Sequence, residues 1–385
     1  MPTIRPKVLI DKEYVSQTKY TLDLDLPTTG LLSSLFLKTT AKTTTTGNCP
    51  SPWIKYLISS VSLNQAGQAA LNAAPPEAFQ ADYYYKTGKM PMRGYQRPGG
   101  DAQIIDEVTP ILFGEKVDDP EYYIDLSRLN DPKLSITYDL ATTDHAGSTI
   151  WDTTYYPRFT VLANLMQGAG VPTSKGYYSL RQIESYTPIN SEKHMLELKG
   201  TRPIKRLYVQ LNKLIPNAEL LHLVDRCRVW GANESYIPFD LAIDPWLELT
   251  KEIFGICEVE AVVPYAKGGQ TFDMAMDRSL GAVAEVTQTL DRLAEVKDAA
   301  GRRATFLLFV PSTGLASVDV VQAEYMLKGL LPWSVGVIDM PKMLGLEHLI
   351  PTEYAPVFLE LDHAVNAGDY SAPMKIHVQD LVTTY

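Results

Sequence analysis

The acidic residues that stand closest together along the chain could hold a hard cation. They are Asp118, Asp119, Glu121 and Asp125, and carboxylate oxygens on a loop are ligands that calcium prefers. The group lacks the central glycine and the terminal bidentate glutamate of an EF-hand loop. A solvated acidic loop is therefore the simpler interpretation.

Three further segments carry side chains that suit binding or exposure. Tyr83–Tyr85 could stack on a sugar or a partner, although adjacent aromatic residues at a helix end more often pack under a loop. Met92–Gly100 places two arginines around a tyrosine, which suits a phosphate or a carboxylate, but a plain surface loop explains it equally well. Asp23 and Asp25 alternate with leucines and are predicted to line the outward face of a strand.

Histidine and cysteine form no catalytic or metal-binding pattern. The chain has no phosphate-binding glycine motif, metalloprotease helix or nucleophile elbow, and its cysteines are an odd number without CxxC spacing. We therefore predict reduced thiols, synthesis in a cytoplasm, no enzyme activity, no catalytic, cofactor-binding or metal-binding residue, and no cofactor. The residues concerned are His145, His194, His222, His348, His363, His377, Cys49, Cys227 and Cys257.

Composition narrows the class of protein. The 385 residues are 45% apolar and 21% charged, as in a globular chain with room for two or three domains. The formal net charge of -10 argues against a nucleic-acid-binding surface, because phosphate neutralisation needs clustered lysine and arginine. No apolar run approaches the ~20 residues that span a bilayer, and the N-terminus lacks the apolar core of a signal peptide.

The elements that would position these residues occur twice. A β-rich pattern runs over residues 20–140, and a diverged copy runs over residues 194–361. The spacing between the copies is too long for a solenoid repeat and suits a duplicated whole domain. The matching segments are Tyr20–Leu26 with Met195–Leu198, Leu31–Leu37 with Ile204–Leu211, and Trp53–Leu63 with Leu220–Trp230.

Each copy continues with a short helix and then further strands. Pro75–Tyr85 and Asp244–Phe254 are predicted helices, the second with Asp244 as its N-cap. The next matching strands, at 133–140 and 357–362, are farther apart than the opening ones, so the second copy carries an insertion around 264–331. Apolar spacing predicts a helix at Leu280–Ala299 inside it.

Strands joined by long loops, with no alternation of strand and helix, predict an all-β fold of two tandem jelly-roll β-sandwich domains with short helices. We divide the chain into an N-terminal arm at 1–18, a first jelly roll at 19–170 and a second at 171–385, with the hinge in Gln167–Gly176. Arg158–Leu165 and Met374–Leu381 are predicted closing strands of the two domains.

The order and residue composition of these segments resemble those of a known protein family. The strand Ile54–Leu63 runs into the turn Asn64–Gly67 and a helix, followed by Pro110–Gly114 and Tyr123–Tyr138, and the whole pattern recurs. It is similar to the double jelly-roll major capsid proteins of tailless, internal-membrane-containing double-stranded DNA viruses, which share their architecture with adenovirus hexon.

The resemblance implies a structural subunit of an icosahedral virion. It implies a homotrimeric, pseudo-hexagonal capsomer that contacts neighbouring capsomers, minor capsid proteins and, through the arm, an internal viral membrane. We expect Met1–Thr18 to be an extended arm that is ordered only by neighbours or by lipid, whose head groups Lys7, Lys12 and Lys19 could meet.

Two other classes of protein remain open on the sequence. A receptor-binding or carbohydrate-binding viral spike would use the abundant tyrosine and tryptophan for stacking. A two-domain cupin-type enzyme would need about three histidines and a carboxylate inside one barrel, and the absence of an HxH pair argues against it.

Overall fold

The computed structural model describes residues 3–13, 19–44, 57–66, 71–91, 104–143, 149–167, 171–211, 223–265, 271–274, 283–286, 294–298, 304–308, 321–368 and 373–383. Within these ranges the chain is built mainly of β-strands, with short α-helices and 3-10 turns. The predicted all-β class is therefore confirmed.

The first sandwich consists of two four-stranded sheets. Their orders are β1-β9-β3-β6, with the short β7 beside β3, and β2-β8-β4-β5. Leu22 and Leu24 are buried while Asp23 and Asp25 are exposed, so the two aspartates line the outward face as predicted. The elements are β1 (Thr3–Glu13), β2 (Lys19–Asp25), β3 (Leu31–Lys42), β4 (Ile58–Asn64), β5 (Asn72–Ala74), α1 (Pro76–Thr87), β6 (Ile104–Leu112), β7 (Ile124–Asp125), β8 (Lys133–Asp139) and β9 (Arg158–Gln167).

The second sandwich starts immediately afterwards and is interrupted by the insertion. Its first elements are β10 (Tyr177–Tyr186), β11 (Lys193–Glu197), β12 (Ile204–Gln210), β13 (Val224–Gly231), β14 (Tyr236–Ala242) and α2 (Ile243–Phe254). The insertion adds β15 (Cys257–Tyr265), β16 (Thr271–Met274), β17 (Val283–Val286), β18 (Ala294–Asp298), β19 (Ala304–Leu308) and β20 (Val321–Gly329). The sandwich resumes with β21 (Val335–Asp339), α3 (Met340–Leu344), β22 (Val357–His363) and β23 (Met374–Val382).

The insertion forms two three-stranded sheets, β15-β20-β17 and β16-β19-β18. The helix predicted at Leu280–Ala299 is wrong, because β17 and β18 lie there and pair antiparallel with β20 and β19. The valines that matched a helical spacing also favour strands, and partners distant in sequence decide between the two.

The strand order of the first sandwich recurs in the second. Its sheets are β10-β23-β12-β21 and β11-β22-β13-β14, position for position the same as β1-β9-β3-β6 and β2-β8-β4-β5. Three β-bulges recur as well, each as a register shift between equivalent strands. Counting residues from a bulge therefore gives a one-to-one correspondence between the sandwiches. The bulged residues are Leu9, Ser33 and Ser59 in the first sandwich and Ile183, Lys205 and Asp225 in the second.

The N-terminal segment is part of this pattern. Thr3–Glu13 pairs antiparallel with β9, starting with Thr3 opposite Gln167, and β1 is the counterpart of β10. The expectation of an arm ordered only by neighbours or lipid is therefore wrong, because residues 3–13 complete a sheet of the first sandwich. The hinge at Gln167–Gly176 stays a prediction.

Both predicted helices are present. The α2 helix begins one residue before Asp244, after an extended Ala242, so the predicted N-cap is wrong. Asp244 lies in the first turn, where a carboxylate still favours the positive end of the helix dipole.

The two sandwiches have separate cores joined at one place. The first core also takes in Tyr208, Trp333 and Val335 from the second half of the chain. Residue Ala73 of β5 pairs in parallel with Arg181 of β10. This single pair fuses one sheet of each sandwich into a sheet of eight strands, β2-β8-β4-β5-β10-β23-β12-β21.

Candidate functional site at the junction of the two sandwiches

The helix α1 lies between the two sandwiches. It contacts β4 and β6 of its own sandwich, and β21 with the preceding turn Pro332–Ser334 of the other. Nine of its twelve residues are buried, including Glu77, Gln80 and Asp82. A helix enclosed on all sides is usually apolar, so the charges of α1 need partners inside the junction.

Asp82 is the centre of the first group of polar contacts. Its Oδ1 accepts hydrogen bonds from the Tyr208 hydroxyl at 2.6 Å and from Gln379 Nε2 at 2.7 Å. Its Oδ2 lies 2.8 Å from Lys86 Nζ, one helical turn away. Glu77, one turn earlier, accepts from Lys375 Nζ at 3.0 Å. Residues of α1 therefore bind β12 and β23 directly.

Arg206 is the centre of the second group, and its side chain is 1% exposed. Its Nε donates to Asp339 Oδ2 at 2.5 Å, and Nη1 donates to Gln379 Oε1 at 2.8 Å. Nη1 and Nη2 also form a two-pronged contact with the Glu115 carboxylate at 3.0 and 2.6 Å. Glu115 belongs to the first sandwich, so the guanidinium ties both sandwiches together.

Charges of opposite sign are matched in the junction. Burial disfavours the charged form of Glu115, but the charge and hydrogen bonds of Arg206 outweigh it and lower the pKa of this carboxyl below its usual range. Burial lowers the pKa of Lys86, partly offset by Asp82. Burial raises the pKa of the Tyr208 hydroxyl well above its usual value, so it stays a hydrogen-bond donor.

Tyr84 and Tyr85 also belong to the junction. The Tyr85 ring packs edge-on against Phe254 at 4.9 Å between centroids, and its hydroxyl donates to the carbonyl oxygen of Val335 at 2.6 Å. The Tyr84 hydroxyl donates to the carbonyl oxygen of Phe254 at 3.4 Å. Both are buried, so these two tyrosines pack inside the protein instead of forming a surface for sugar.

The strand pair β5–β10 closes the other side of the junction. Leu180 N donates to Asn72 Oδ1 at 2.9 Å, and Ser179 Oγ donates to the carbonyl oxygen of Leu71 at 2.5 Å. These side chains extend a contact whose backbone pairing is only one residue long. The junction thus combines a sheet seam, an enclosed helix and two buried ionic groups.

This arrangement suits a fixed orientation of two bodies. Each charged group described above has an oppositely charged or hydrogen-bonded partner within 3.2 Å, and moving the two sandwiches apart would break the contacts that cross between them. We infer that the junction makes one rigid block out of two sandwiches.

The acidic loop is held by its own carboxylates. Asp119 is 6% exposed. Its two oxygens accept from the backbone N–H groups of Glu115 at 2.9 Å and Glu121 at 3.0 Å. Asp125 caps the turn that follows by accepting from Ser127 N. The interpretation as a solvated loop is therefore wrong for Asp119, which stabilises the loop from inside.

Two histidines lie together in the second sandwich. His194 stacks on Tyr186 with 3.7 Å between ring centroids, and the Tyr186 hydroxyl lies 2.8 Å from His363 Nε2. Across the described ranges, no group of three or more histidine, cysteine, aspartate or glutamate side chains could hold a metal ion. The absence of a cofactor stays a prediction.

Other residues singled out by the sequence are buried or lie outside the described ranges. Cys227 and Cys257 are buried free thiols, and burial raises the pKa of Cys227 well above its usual value. No helix in the described part of the chain is long and apolar enough to cross a bilayer. His145, His222, Cys49 and the whole of Met92–Gly100 lie outside the described residues.

The junction residues have no direct signal in the sequence. Arg206 stands in an apolar strand next to Lys205, and the pair resembles exposed charge. Asp82 and Lys86, one helical turn apart, resemble an ordinary surface ion pair. The available signal is that α1 has no apolar stripe to separate a buried face from an exposed one.

Comparison with known proteins bears on the fold. No protein-family model matches this sequence, and no curated protein matches it. The major capsid protein of Sulfolobus Turreted Icosahedral Virus is similar with a TM-score of 0.58, covering 98% of this chain and 96% of that chain at 10% identity. This chain has the double jelly-roll fold.

Two more double jelly-roll proteins are similar along their whole length. VP54 of PBCV-1 has a TM-score of 0.57 at 10% identity, covering 98% of this chain and 94% of its own. The major capsid protein of Bacteriophage PM2 has a TM-score of 0.50 at 9% identity, covering 100% of this chain and 98% of its own. The predicted tandem jelly rolls are confirmed.

Proposed function

We propose that this chain is the major capsid protein of an icosahedral virion, where it forms trimeric, pseudo-hexagonal capsomers. The observation that carries the proposal is the fold match to viral major capsid proteins over 98% of the chain, both sandwiches included. A match to one jelly roll alone would fit many unrelated functions.

The junction supports a structural role. A subunit of a closed shell must present both sandwiches in one fixed orientation, and the buried ion pairs of Arg206 and Asp82 resist any change in it. The buried polar side chains of the junction bind each other instead of facing a cleft. We therefore expect no catalytic activity, and the structural neighbours do not favour a viral spike.

The proposed partners are two further copies of the chain, neighbouring capsomers and minor capsid proteins, and the proposed location is the virion capsid. A membrane contact through Met1–Thr18 does not belong to the proposal. Residues 3–13 form the edge strand β1, which pairs with β9.

Electron microscopy of the purified protein tests the proposal. We expect particles with a pseudo-hexagonal outline and, by light scattering, three times the mass of the chain. Antibodies against the protein should label the shell of virions from infected cells. A stable monomer at micromolar concentration that never enters particles would contradict it.

A further inference from the structure

The internal junction has an unpaired counterpart at each end of the molecule. The seam is formed by β5 at the edge of one sheet and β10 at the edge of another. By strand order, β14 is the counterpart of β5, and β1 is the counterpart of β10. In the described part of the chain, β14 and β1 both end their sheets, each with an unpaired edge. Unpaired strand edges are ready to add another strand.

The helix beside each edge differs in its surroundings. Helices α1 and α2 both have twelve residues and both end at a glycine, Gly88 and Gly255. Aligned this way, α2 carries Leu249 where α1 carries Asp82, and Ile253 where α1 carries Lys86. Both are partly exposed, and neither packs on the described cores.

The sheet face against which the helix packs also has polar residues at the internal junction and apolar residues at the free end. In the second sandwich, Tyr208 of β12 stands opposite His377 of β23, and both are buried beneath the first sandwich. The equivalent pair in the first sandwich is Phe36 of β3 opposite Leu162 of β9. Both of these apolar side chains are partly exposed.

Both partners of a buried contact are therefore replaced together. Inside the chain, Asp82 accepts a hydrogen bond from Tyr208. At the free ends the same two positions hold Leu249 and Phe36, which have no charge and no hydroxyl. Leucine can pack against phenylalanine, just as aspartate can accept a hydrogen bond from tyrosine. An aspartate placed opposite the phenylalanine would be buried as an unpaired carboxylate.

The seam shows the same joint replacement. Leu180 N–H donates to Asn72 Oδ1 inside the chain. Counting from the bulges puts Pro6 in place of Leu180 and Phe239 in place of Asn72. Proline has no N–H to donate, and phenylalanine has no acceptor to offer.

Charge and exposure support the same contact. The internal seam sets Arg181 opposite Ala73. The equivalent residues at the free ends are Lys7 and Asp240, of opposite charge, and Asp240 also accepts two hydrogen bonds from Arg226 of β13. Val8 is 57% exposed on β1 and Ile237 is 43% exposed on β14, so each edge carries an apolar side chain in solvent.

We propose that α2 and β14 of one copy dock on β1 and the Phe36–Leu162 face of a second copy, repeating the internal junction from head to tail. This rests on the proposed function, since three copies joined this way close a ring of six sandwiches. A heterologous contact whose rotation closes gives a ring.

A disulfide across the new seam tests the proposal. Residues directly opposite in a parallel pair lie about 4.8 Å apart, within the range that a disulfide spans. The variant Lys7→Cys with Asp240→Cys should form covalent dimers and trimers on oxidation. The variant Ala73→Cys with Arg181→Cys is the matched control, because it should form its bond within a single chain. Each single-cysteine variant should stay uncrosslinked.

The outcomes separate the inference from the proposed function. Trimers in solution that crosslink through residues 7 and 240 support both. Trimers in which only the 73–181 control oxidises overturn the docking mode and leave the proposed function standing. Crosslinked ladders longer than a trimer overturn ring closure. Monomers that form neither crosslinks nor particles overturn the proposed function and the inference together.

A charge placed in the apolar contact gives a second readout. Leu249→Asp should raise the dissociation constant of the trimer about 100-fold or more, because its carboxylate would face Phe36. Val365→Asp is the matched control, since Val365 is 71% exposed and lies outside both surfaces. Circular dichroism should show the same fold for both. Equal dissociation constants for the two variants would overturn the proposal.

Discussion

The helices α1 and α2 occupy equivalent positions in the two sandwiches, but only α1 is enclosed. Nine residues of α1 are buried, whereas α2 keeps Asp244, Glu248 and Glu252 exposed and buries Trp246, Leu247 and Thr250. The enclosed helix is the one with the buried charges. The polarity of a helix therefore does not predict whether the helix is buried. Its burial depends on the partners that the rest of the chain brings to it.

The difference indicates what kind of contact each helix makes. A junction within one chain forms during folding, and the chain itself holds Arg206 and Glu115 in the geometry that a buried ion pair needs. A contact between separate copies must also recover the free energy lost when their motion is restricted. Apolar surface such as Leu249 and Phe36 serves that purpose without desolvating charge.

The largest expected effect comes from breaking the internal junction. Arg206→Met should lower the free energy of unfolding by roughly 3–5 kcal/mol, because Asp339 and Glu115 would lose their buried cation. Denaturant unfolding followed by fluorescence measures it. The matched control is Arg158→Met, which removes an exposed ion pair with Asp11 and should leave stability nearly unchanged. Equal losses for both variants would contradict a special role of the junction.

The next effect depends on pH. Burial lowers the pKa of His377 to about 3, whereas the unfolded chain binds this proton below about pH 6.5. The free energy of unfolding of the native protein should therefore fall by roughly 1 kcal/mol per pH unit because of this group, as the pH falls from about 6.5 to 3. His377→Leu copies Leu162 and should remove that loss.

Unfolding at pH 7.5 and at pH 5 measures the change. The free energy of unfolding of the variant, relative to that of the native protein, should be higher at pH 5 than at pH 7.5. The same difference in stability at both pH values would show that His377 does not titrate in this range.

A smaller effect is expected from exchanging the equivalent aromatic residues. Tyr208→Phe copies Phe36 and should cost about 2 kcal/mol, because Asp82 loses a hydrogen bond from a buried hydroxyl. Phe36→Tyr should leave the stability of an isolated chain nearly unchanged, since its ring is only partly buried. Thermal unfolding of the two variants checks this, and a larger loss for Phe36→Tyr would contradict the comparison.

The smallest effect concerns the ends of the two helices. Gly88 has φ 70° and ψ 12°, a left-handed conformation that alanine adopts at a cost of about 1 kcal/mol. Gly255 has φ 79° and ψ −166°, a region open almost only to glycine. Gly255→Ala should therefore destabilise the protein more than Gly88→Ala, by about 1 kcal/mol. Calorimetry on the two variants distinguishes them.

Much of the fold could be predicted because its signals are local. The alternation of Leu22 and Leu24 with Asp23 and Asp25 predicts a half-buried strand, and the proline at the start of α1 predicts a helix. Matching segments in matching order predict the duplication. The larger spacing between the last matching strands predicts an insertion in the second copy.

The remainder depends on partners that are distant in sequence. Thr3–Glu13 resembles an arm because its partner β9 starts at Arg158, far along the chain. Pro6, the proline inside this strand, fits because β1 is an edge strand. Arg206 and Glu115 are 91 residues apart, and only the completed junction shows that their charges are buried together.

The recurring bulges explain how two halves so different in side chains keep a common design. A strand that gains or loses one residue turns its whole apolar set toward solvent. Substitutions can therefore accumulate after a duplication while each bulge keeps its place between equivalent strands. Leu9 and Ile183, for example, mark equivalent positions in β1 and β10. Distances counted from them identify corresponding positions where residue identity no longer does.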